Sequence, residues 1–151
     1  MRGEKINKTI VLAVLLGLLL AACTPGASGH ELAGTNWQLV SIDGNAQVGE
    51  AIGGQPVTIS FESNGQVGGS GGCNSYGGSY EANASAGAIT FSEIVSTLMA
   101  CMDNGIMEVE ASYFAALNAA TRYEITECEA CANPETLTVT GGGHTLVFAS
   151  A

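Results

Sequence analysis

The chain has 151 residues and a formal net charge of −10, with four Lys and Arg residues against 14 Asp and Glu. So few bases make a surface that repels phosphate groups, which argues against binding to nucleic acid or to anionic lipid headgroups. The length suits one domain with a short leader, and we expect no second domain.

The first residues are typical of an export signal. A short basic start, residues 1–8, is followed by an unbroken apolar run over residues 10–20. This run is too short to span a bilayer, which takes roughly 20 residues as a helix. A basic start, a short apolar run and small residues after it predict a secretory signal peptide over residues 1–22.

The stretch Leu20-Ala21-Ala22-Cys23 resembles a bacterial lipobox. That resemblance implies cleavage before Cys23 and acylation of its thiol, and two or more acyl chains would anchor the protein stably. Ordinary cleavage after Ala22, leaving a thiol, is the alternative. Because Thr24 rather than an acidic residue follows Cys23, the resemblance favours the outer membrane, facing the periplasm, in a cell with two membranes.

The residues after Cys23 have linker composition, and we interpret residues 23–31 as a lipidated tether before a domain over residues 32–151. Cleavage would remove three of the four bases and one acid, so the formal charge of −10 becomes −12 and Arg122 is the only base left. Attachment to the membrane must therefore come from the acyl chains on Cys23.

Alternating apolar residues predict the first strands of the domain. One covers Asn36–Ile42 and ends at a turn signal, residues 43–45. A second covers residues 57–62, and Asn64-Gly65 then predicts a tight hairpin turn. The return strand, residues 66–73, continues into a stretch rich in glycine.

Seven glycines fall between Gly65 and Gly78. Glycine inside a strand marks a bulge, a bend or the close approach of another backbone. We interpret these glycines as the bends of a strongly curved sheet. Two further short strands are predicted, over residues 79–81 and 88–91.

A single helix is predicted after Asp103 or Asn104, either of which can cap it. Its apolar residues repeat at helical spacing: Ile106, Val109, Tyr113, Leu117 and Ala120. Strands follow over residues 122–127, 136–140 and 145–148. The predicted fold is mostly β (α+β), a strongly curved antiparallel sheet or partial barrel of about eight short strands with one α-helix packed on it.

Several motifs occur together in one order: Gly72, Cys73, Asn74, Tyr76, Gly78 and Tyr80, then Thr97, Met99 and Cys101. With the opening strand and the closing residues 146–148, they resemble the META domain family, that of heat-shock lipoproteins of the HslJ type. The resemblance covers residues 32–148. It implies a single, mostly β domain with one helix, often exported or lipidated and associated with stress, and without family-wide catalytic residues.

Four cysteines besides Cys23 allow three disulfide connectivities. With the resemblance, we interpret Cys73 and Cys101 as a disulfide that ties the glycine-rich hairpin to the start of the helix, and Cys128 and Cys131 as a second. Chain entropy gives ~3.5 kcal/mol for the longer loop and ~2 kcal/mol for the shorter one. The first is then the structural bond and the second the more reducible.

The Cys-x-x-Cys spacing of Cys128 and Cys131 also resembles a redox motif. Nearby carboxylates, Glu127 and Glu129 among them, oppose the thiolate that redox chemistry needs, so a structural role is favoured. A second sulfur-rich group, Met99, Met102 and Met107 around Cys101, has ligands that suit Cu(I). Because Cys101 is assigned to a disulfide, we expect neither metal nor cofactor.

We therefore predict a monomeric, non-enzymatic, lipid-anchored protein of the cell envelope, acting in stress tolerance or envelope maintenance through an unknown envelope partner. No residue is assigned a catalytic role. The alternative is a binding module that holds a small apolar ligand or a protein segment on the concave sheet. A filled interior supports the first hypothesis, and an open apolar pocket supports the alternative. Thiol–disulfide catalysis by Cys128 and Cys131 is a third hypothesis.

Overall fold

The computed structural model describes residues 31–101, 105–127 and 135–151, apart from the side chains of residues 51 and 52. Eight antiparallel strands pair in chain order, and the last pairs with the first to close a barrel. The strands are β1 Asn36–Ile42, β2 Thr58–Phe61, β3 Gln66–Ser70, β4 Ser75–Asn83, β5 Ala88–Ser96, β6 Arg122–Glu127, β7 Glu135–Gly141 and β8 His144–Ser150. One α-helix of the described chain, α1, covers Ile106–Ala119.

The prediction of a mostly β fold with one packed helix is confirmed, and the structure shows that the barrel is closed rather than partial. Side chains that alternate along the strands fill its interior, as the pattern of β2 shows, where Ile59 and Phe61 are buried. The largest fully buried side chains come mainly from five strands and the helix, and include Trp37, Phe61, Ile89, Tyr113, Leu137 and Phe148. Burial of each of these side chains away from water stabilises the folded state by about 1.5–3 kcal/mol.

The predicted turns are confirmed. Ile42 and Asn45 exchange backbone hydrogen bonds across the turn after β1. Gly65 adopts a φ of 83° in the hairpin between β2 and β3, a conformation that glycine accepts without strain. A 3₁₀ turn, Gly49–Ile52, lies between β1 and β2.

Strands β4 and β5 are longer than the predicted segments 79–81 and 88–91. Glycines interrupt the apolar alternation of β4, so the sequence pattern does not predict the first half of this strand. The register of the two strands shifts between Gly77 and Ser79, which is the expected bend. A Cβ atom on Gly78 would lie 2.6 Å from Ile94 Cδ1, so close contact as well as curvature requires this glycine.

The helix α1 crosses the barrel at the end where β5 finishes, and it contacts β5, β7, β8 and the 3₁₀ turn. Gly105 precedes it, and the predicted caps Asp103 and Asn104 lie outside the described residues. Its last turn touches β7 so closely that a Cβ atom on Gly141 would lie 2.0 Å from the Ala119 carbonyl oxygen. In the described part of the chain, no helix has the length and apolar character needed to cross a membrane.

Strand β5 meets β6 at one register pair only, Ala88 with Arg122. Both strands begin at that pair and run in opposite directions from it, and α1, which leads into β6, contacts β5. The helix thus completes the wall of the barrel and positions the residues of the predicted motif.

Candidate functional site

Cys73 and Cys101 form a disulfide across 28 residues of chain. Cys73 lies in the turn between β3 and β4, and Cys101 ends the segment of residues 97–101 that follows β5. The bond therefore joins a hairpin turn to the chain that leads into α1. We call this part of the molecule the disulfide end of the barrel.

The Asn74 side chain, only 3% exposed, holds the same segment without covalent bonds. Its Oδ1 accepts hydrogen bonds from Thr97 Oγ1 at 2.8 Å and from the Met99 N–H at 2.7 Å. Its Nδ2 donates to the Met99 carbonyl oxygen at 3.3 Å and to Glu110 Oε1 at 2.7 Å. These contacts use both acceptor and donor positions of the amide.

Glu110 completes this arrangement from the helix, and its side chain is 5% exposed. Its Oε2 accepts hydrogen bonds from the backbone N–H groups of Cys73, at 3.2 Å, and Asn74, at 2.6 Å. Because a buried acceptor without partners is costly, the carboxyl group fixes the turn against α1. We call Asn74, Thr97, Met99 and Glu110 the Asn74 cluster.

The sequence carries a signal that Glu110 is buried. Glu110 stands four residues after Ile106 and three before Tyr113, both buried, so it lies on the apolar face of α1. A carboxyl group within an apolar stripe indicates a buried polar contact. Its partners are distant in sequence, and only the fold reveals them.

Two glycines directly before Cys73 allow the turn to approach the helix. A Cβ atom on Gly71 would lie 2.7 Å from Glu110 Oε2 and 2.9 Å from Phe114 Cζ. Gly72 has a φ of 103°, which side-chain-bearing residues rarely adopt. Both glycines are therefore required by the site itself.

Tyr76 connects the motif to the barrel interior. Its hydroxyl donates to the Thr58 carbonyl oxygen at 3.0 Å and lies 2.7 Å from the Tyr113 hydroxyl. Since the Tyr76 proton is used on Thr58, Tyr113 is the donor of the second bond. Burial raises the pKa of both phenols, because the ionised form would have to leave water.

This direction of donation predicts unequal effects of two matched substitutions. Tyr113→Phe removes one donor and is expected to lower the free energy of unfolding by about 1 kcal/mol. Tyr76→Phe removes the partner of both Tyr113 and Thr58, and is expected to cost about 2 kcal/mol. Urea unfolding followed by tryptophan fluorescence measures both. Equal losses, or a larger loss for Tyr113→Phe, would contradict the assigned direction.

The tyrosines also predict how stability depends on pH. Burial is the main cause that raises the pKa values of Tyr76, Tyr80, Tyr113 and Tyr123 above the ordinary 10.0. Their protons are then released first in the unfolded state, so stability is complete below about pH 10 and is lost as the pH rises further. Tyrosinate absorbance and near-ultraviolet circular dichroism should change together, with a shallower decline in Tyr113→Phe. Phenol ionisation near pH 10 with an unchanged native spectrum would contradict this.

Tyr80 lies at the opposite end of β4 from the disulfide. Its hydroxyl donates to the Glu62 carbonyl oxygen at 3.1 Å, and its ring meets Phe61 edge-on at 4.9 Å. A half-open pocket of about 180 Å³ lies here, lined in part by Glu31, Tyr80 and Tyr123. Small-molecule sites occupy about 300–1,000 Å³, and the barrel interior is filled by side chains. This pocket is therefore smaller than the usual site of a small-molecule ligand.

The predicted site residues thus separate into two groups. The structure brings together Gly72, Cys73, Asn74, Tyr76, Thr97, Met99 and Cys101 at the disulfide end, and places Gly78 within β4 and Tyr80 towards the other end. Cys23, Met102, Cys128 and Cys131 lie outside the described residues. Within the described ranges no three His, Cys, Asp or Glu side chains are grouped as metal ligands.

The fold and this cluster define the protein as a small antiparallel barrel with one packed helix, in which a disulfide joins a hairpin turn at one end to the chain before that helix. The META domain sequence model matches residues 30–151. The chain therefore belongs to the META domain family. No curated protein sequence is similar enough to count as a match.

Solved structures share this fold. A protein from Burkholderia xenovorans, determined by NMR, is 28% identical with a TM-score of 0.65, and the alignment covers 83% of this chain and 88% of the other. A second NMR structure is 23% identical, with a TM-score of 0.57 and coverage of 76% and 87%. A crystal structure of a DUF4847 family protein from Bacteroides vulgatus is 17% identical, with a TM-score of 0.52 and coverage of 78% and 93%. The last two likenesses concern the fold alone.

Proposed function

We propose that this META domain protein is a non-enzymatic lipoprotein of the cell envelope that acts in stress tolerance or envelope maintenance. Acyl chains on Cys23 anchor it, and in a cell with two membranes it faces the periplasm from the outer membrane. It carries no cofactor and works as a monomer through contact with other envelope components.

One observation above all supports a non-enzymatic role. The polar side chains of the motif are engaged with the protein itself: Asn74 with Thr97, Met99 and Glu110. The Tyr76 hydroxyl is likewise bonded to Thr58 and Tyr113. Groups that act on a substrate must be available to it, whereas these groups hold elements of the barrel together.

Anchoring is tested by intact-mass analysis of the protein isolated from membranes of its own cells. We expect a chain beginning at residue 23 that carries acyl groups and two disulfides, and a Cys23→Ser variant that is neither acylated nor retained by membranes. Density-gradient separation of the membranes then assigns the compartment. An unmodified chain starting at residue 23, or one found only in the aqueous fraction, would contradict the proposal.

The stress role is tested in cells that lack the protein. We expect slower growth under heat or envelope stress, restored by the full-length chain and not by Cys23→Ser. The redox hypothesis has its own readout, insulin reduction by the purified protein. Activity that disappears in Cys128→Ser would replace the non-enzymatic proposal with thiol–disulfide chemistry.

A further inference from the structure

Four large apolar side chains are exposed to solvent around the disulfide end. Leu98 is 97% exposed, Val95 70%, Met99 57% and Met107 40%. Val95 lies near the end of β5, Leu98 and Met99 lie in the 97–101 segment, and Met107 lies in the first turn of α1. We call these four residues the apolar patch. Single exposed apolar residues are ordinary, but a group at one end of a domain indicates an interaction surface.

The backbone that carries Leu98 and Met99 is fixed, so these two side chains cannot easily turn inward. The N–H and carbonyl groups of Met99 both bond to the Asn74 side chain. Thr97 N–H donates to the Ser75 carbonyl oxygen at 3.0 Å, and Cys101 is held by the disulfide. Since ordering a loop costs affinity, a loop fixed in advance is suited to binding.

The patch also lies far from the point where the described chain begins. Strand β4 starts at Ser75, beside Cys73, and ends at Asn83. Glu31 lies against Tyr80 and Ala82, in the second half of that strand. The described chain therefore begins at the opposite end of the domain from the patch, and in a protein anchored at Cys23 the patch would lie at the end of the domain away from the attachment of the tether. This step relies on the function proposed above.

Charge and size narrow the class of partner. Two exposed carboxylates border the patch, Glu93 before Val95 and Glu108 after Met107, in a chain of net charge −10. A basic partner is therefore favoured, and a second copy of this acidic chain is opposed. Four side chains are also too few for the ~1,200 Å² that a stable interface between folded proteins buries. Flexible methionine side chains suit short apolar segments of varied shape.

We propose that the apolar patch binds short apolar and basic segments of unfolded polypeptides and holds them away from the membrane. This gives the proposed role in stress tolerance a substrate class. Leu98 and Met99 contact the apolar side chains of the segment, while Glu93 and Glu108 attract its basic residues. The disulfide and the Asn74 cluster keep the contact surface in place.

The test uses the acylated protein in lipid nanodiscs with its disulfides intact. The probes are two chains kept unfolded by reduction and carboxamidomethylation, basic lysozyme and acidic α-lactalbumin, each labelled for fluorescence anisotropy. We expect saturable binding of the lysozyme chain that weakens with salt, and at least tenfold weaker binding of the α-lactalbumin chain. Leu98→Asp and Met99→Asp should each weaken binding at least tenfold.

The matched control is Val40→Asp, since Val40 is the other exposed large apolar residue of the described chain and lies on β1. It should bind like the parent protein, and thermal unfolding should show that all three variants are folded. Absence of saturable binding, equal binding by Leu98→Asp, preference for the acidic chain, or patch-dependent dimerisation in sedimentation would each overturn the proposal. So would patch-dependent attachment to protein-free nanodiscs. Binding that persists in a protein found to be unacylated would defeat the proposed anchor and leave the patch proposal intact.

Discussion

Replacement of both Cys73 and Cys101 with alanine is expected to lower the free energy of unfolding by about 3.5 kcal/mol and the melting temperature by about 10 °C or more. The disulfide spans 28 residues, so its loss gives the unfolded chain many additional conformations. The folded domain should keep its structure, because Asn74 still bonds to Thr97 and Met99. Thermal unfolding and near-ultraviolet circular dichroism measure the two effects.

The matched control for this variant is the double replacement Cys128→Ala and Cys131→Ala. A disulfide that closes a loop of about four residues restricts the unfolded chain less. Its removal should therefore lower the free energy of unfolding by about 2 kcal/mol or less. If this control melts as low as the Cys73 and Cys101 variant, the ranking of the two pairs is wrong. Non-reducing peptide mapping of the parent protein checks the pairing itself.

Glu110→Ala is expected to lower the free energy of unfolding by about 3–5 kcal/mol, which is comparable with the effect of removing the disulfide. The substitution leaves the N–H groups of Cys73 and Asn74 and the Asn74 amide without their acceptor, in a place that water does not reach. It also opens a cavity between the turn and α1. Glu108→Ala is the control, since Glu108 lies exposed in the first turn of the same helix and contributes less than about 1 kcal/mol there.

A double-mutant cycle distinguishes the Asn74 cluster from general packing. Asn74→Ala alone should be strongly destabilising. The double variant with Glu110→Ala should lose less stability than the sum of the two single losses, by about 1–3 kcal/mol. Hydrogen exchange at the Met99 amide should accelerate in Asn74→Ala, because that amide loses its acceptor. Additive losses with unchanged exchange would mean that the two residues act separately.

The sequence by itself determined the elements that depend on local pattern. The alternation of apolar residues predicts β1 and β2, and the strand predicted over residues 122–127 has the bounds of β6. Helical spacing of Ile106, Tyr113 and Leu117 predicts the buried face of α1. These signals are readable because strands and helices impose periods of two and 3.6 residues on the chain.

Patterns failed where glycine replaced the side chains that carry them. The first half of β4 contains Gly77 and Gly78, and from the sequence the glycines between Gly65 and Gly78 indicate only curvature. The structure shows that two of them, Gly71 and Gly78, make room for Glu110 and Ile94, and that Gly141 makes room for Ala119. A missing side chain does not state which neighbour occupies its place.

Only the tertiary structure decided that the barrel closes and what the motif does. Closure depends on pairing between β1 and β8, which are separated by most of the chain. Asn74 meets Glu110 across 36 residues, and Tyr76 meets Tyr113 across 37. Such contacts follow from the sum of many weak packing preferences, whereas a local sequence pattern reports only a residue's near neighbours. Residue types could therefore place this chain in its family, but the partners of its buried polar groups had to be seen in the fold.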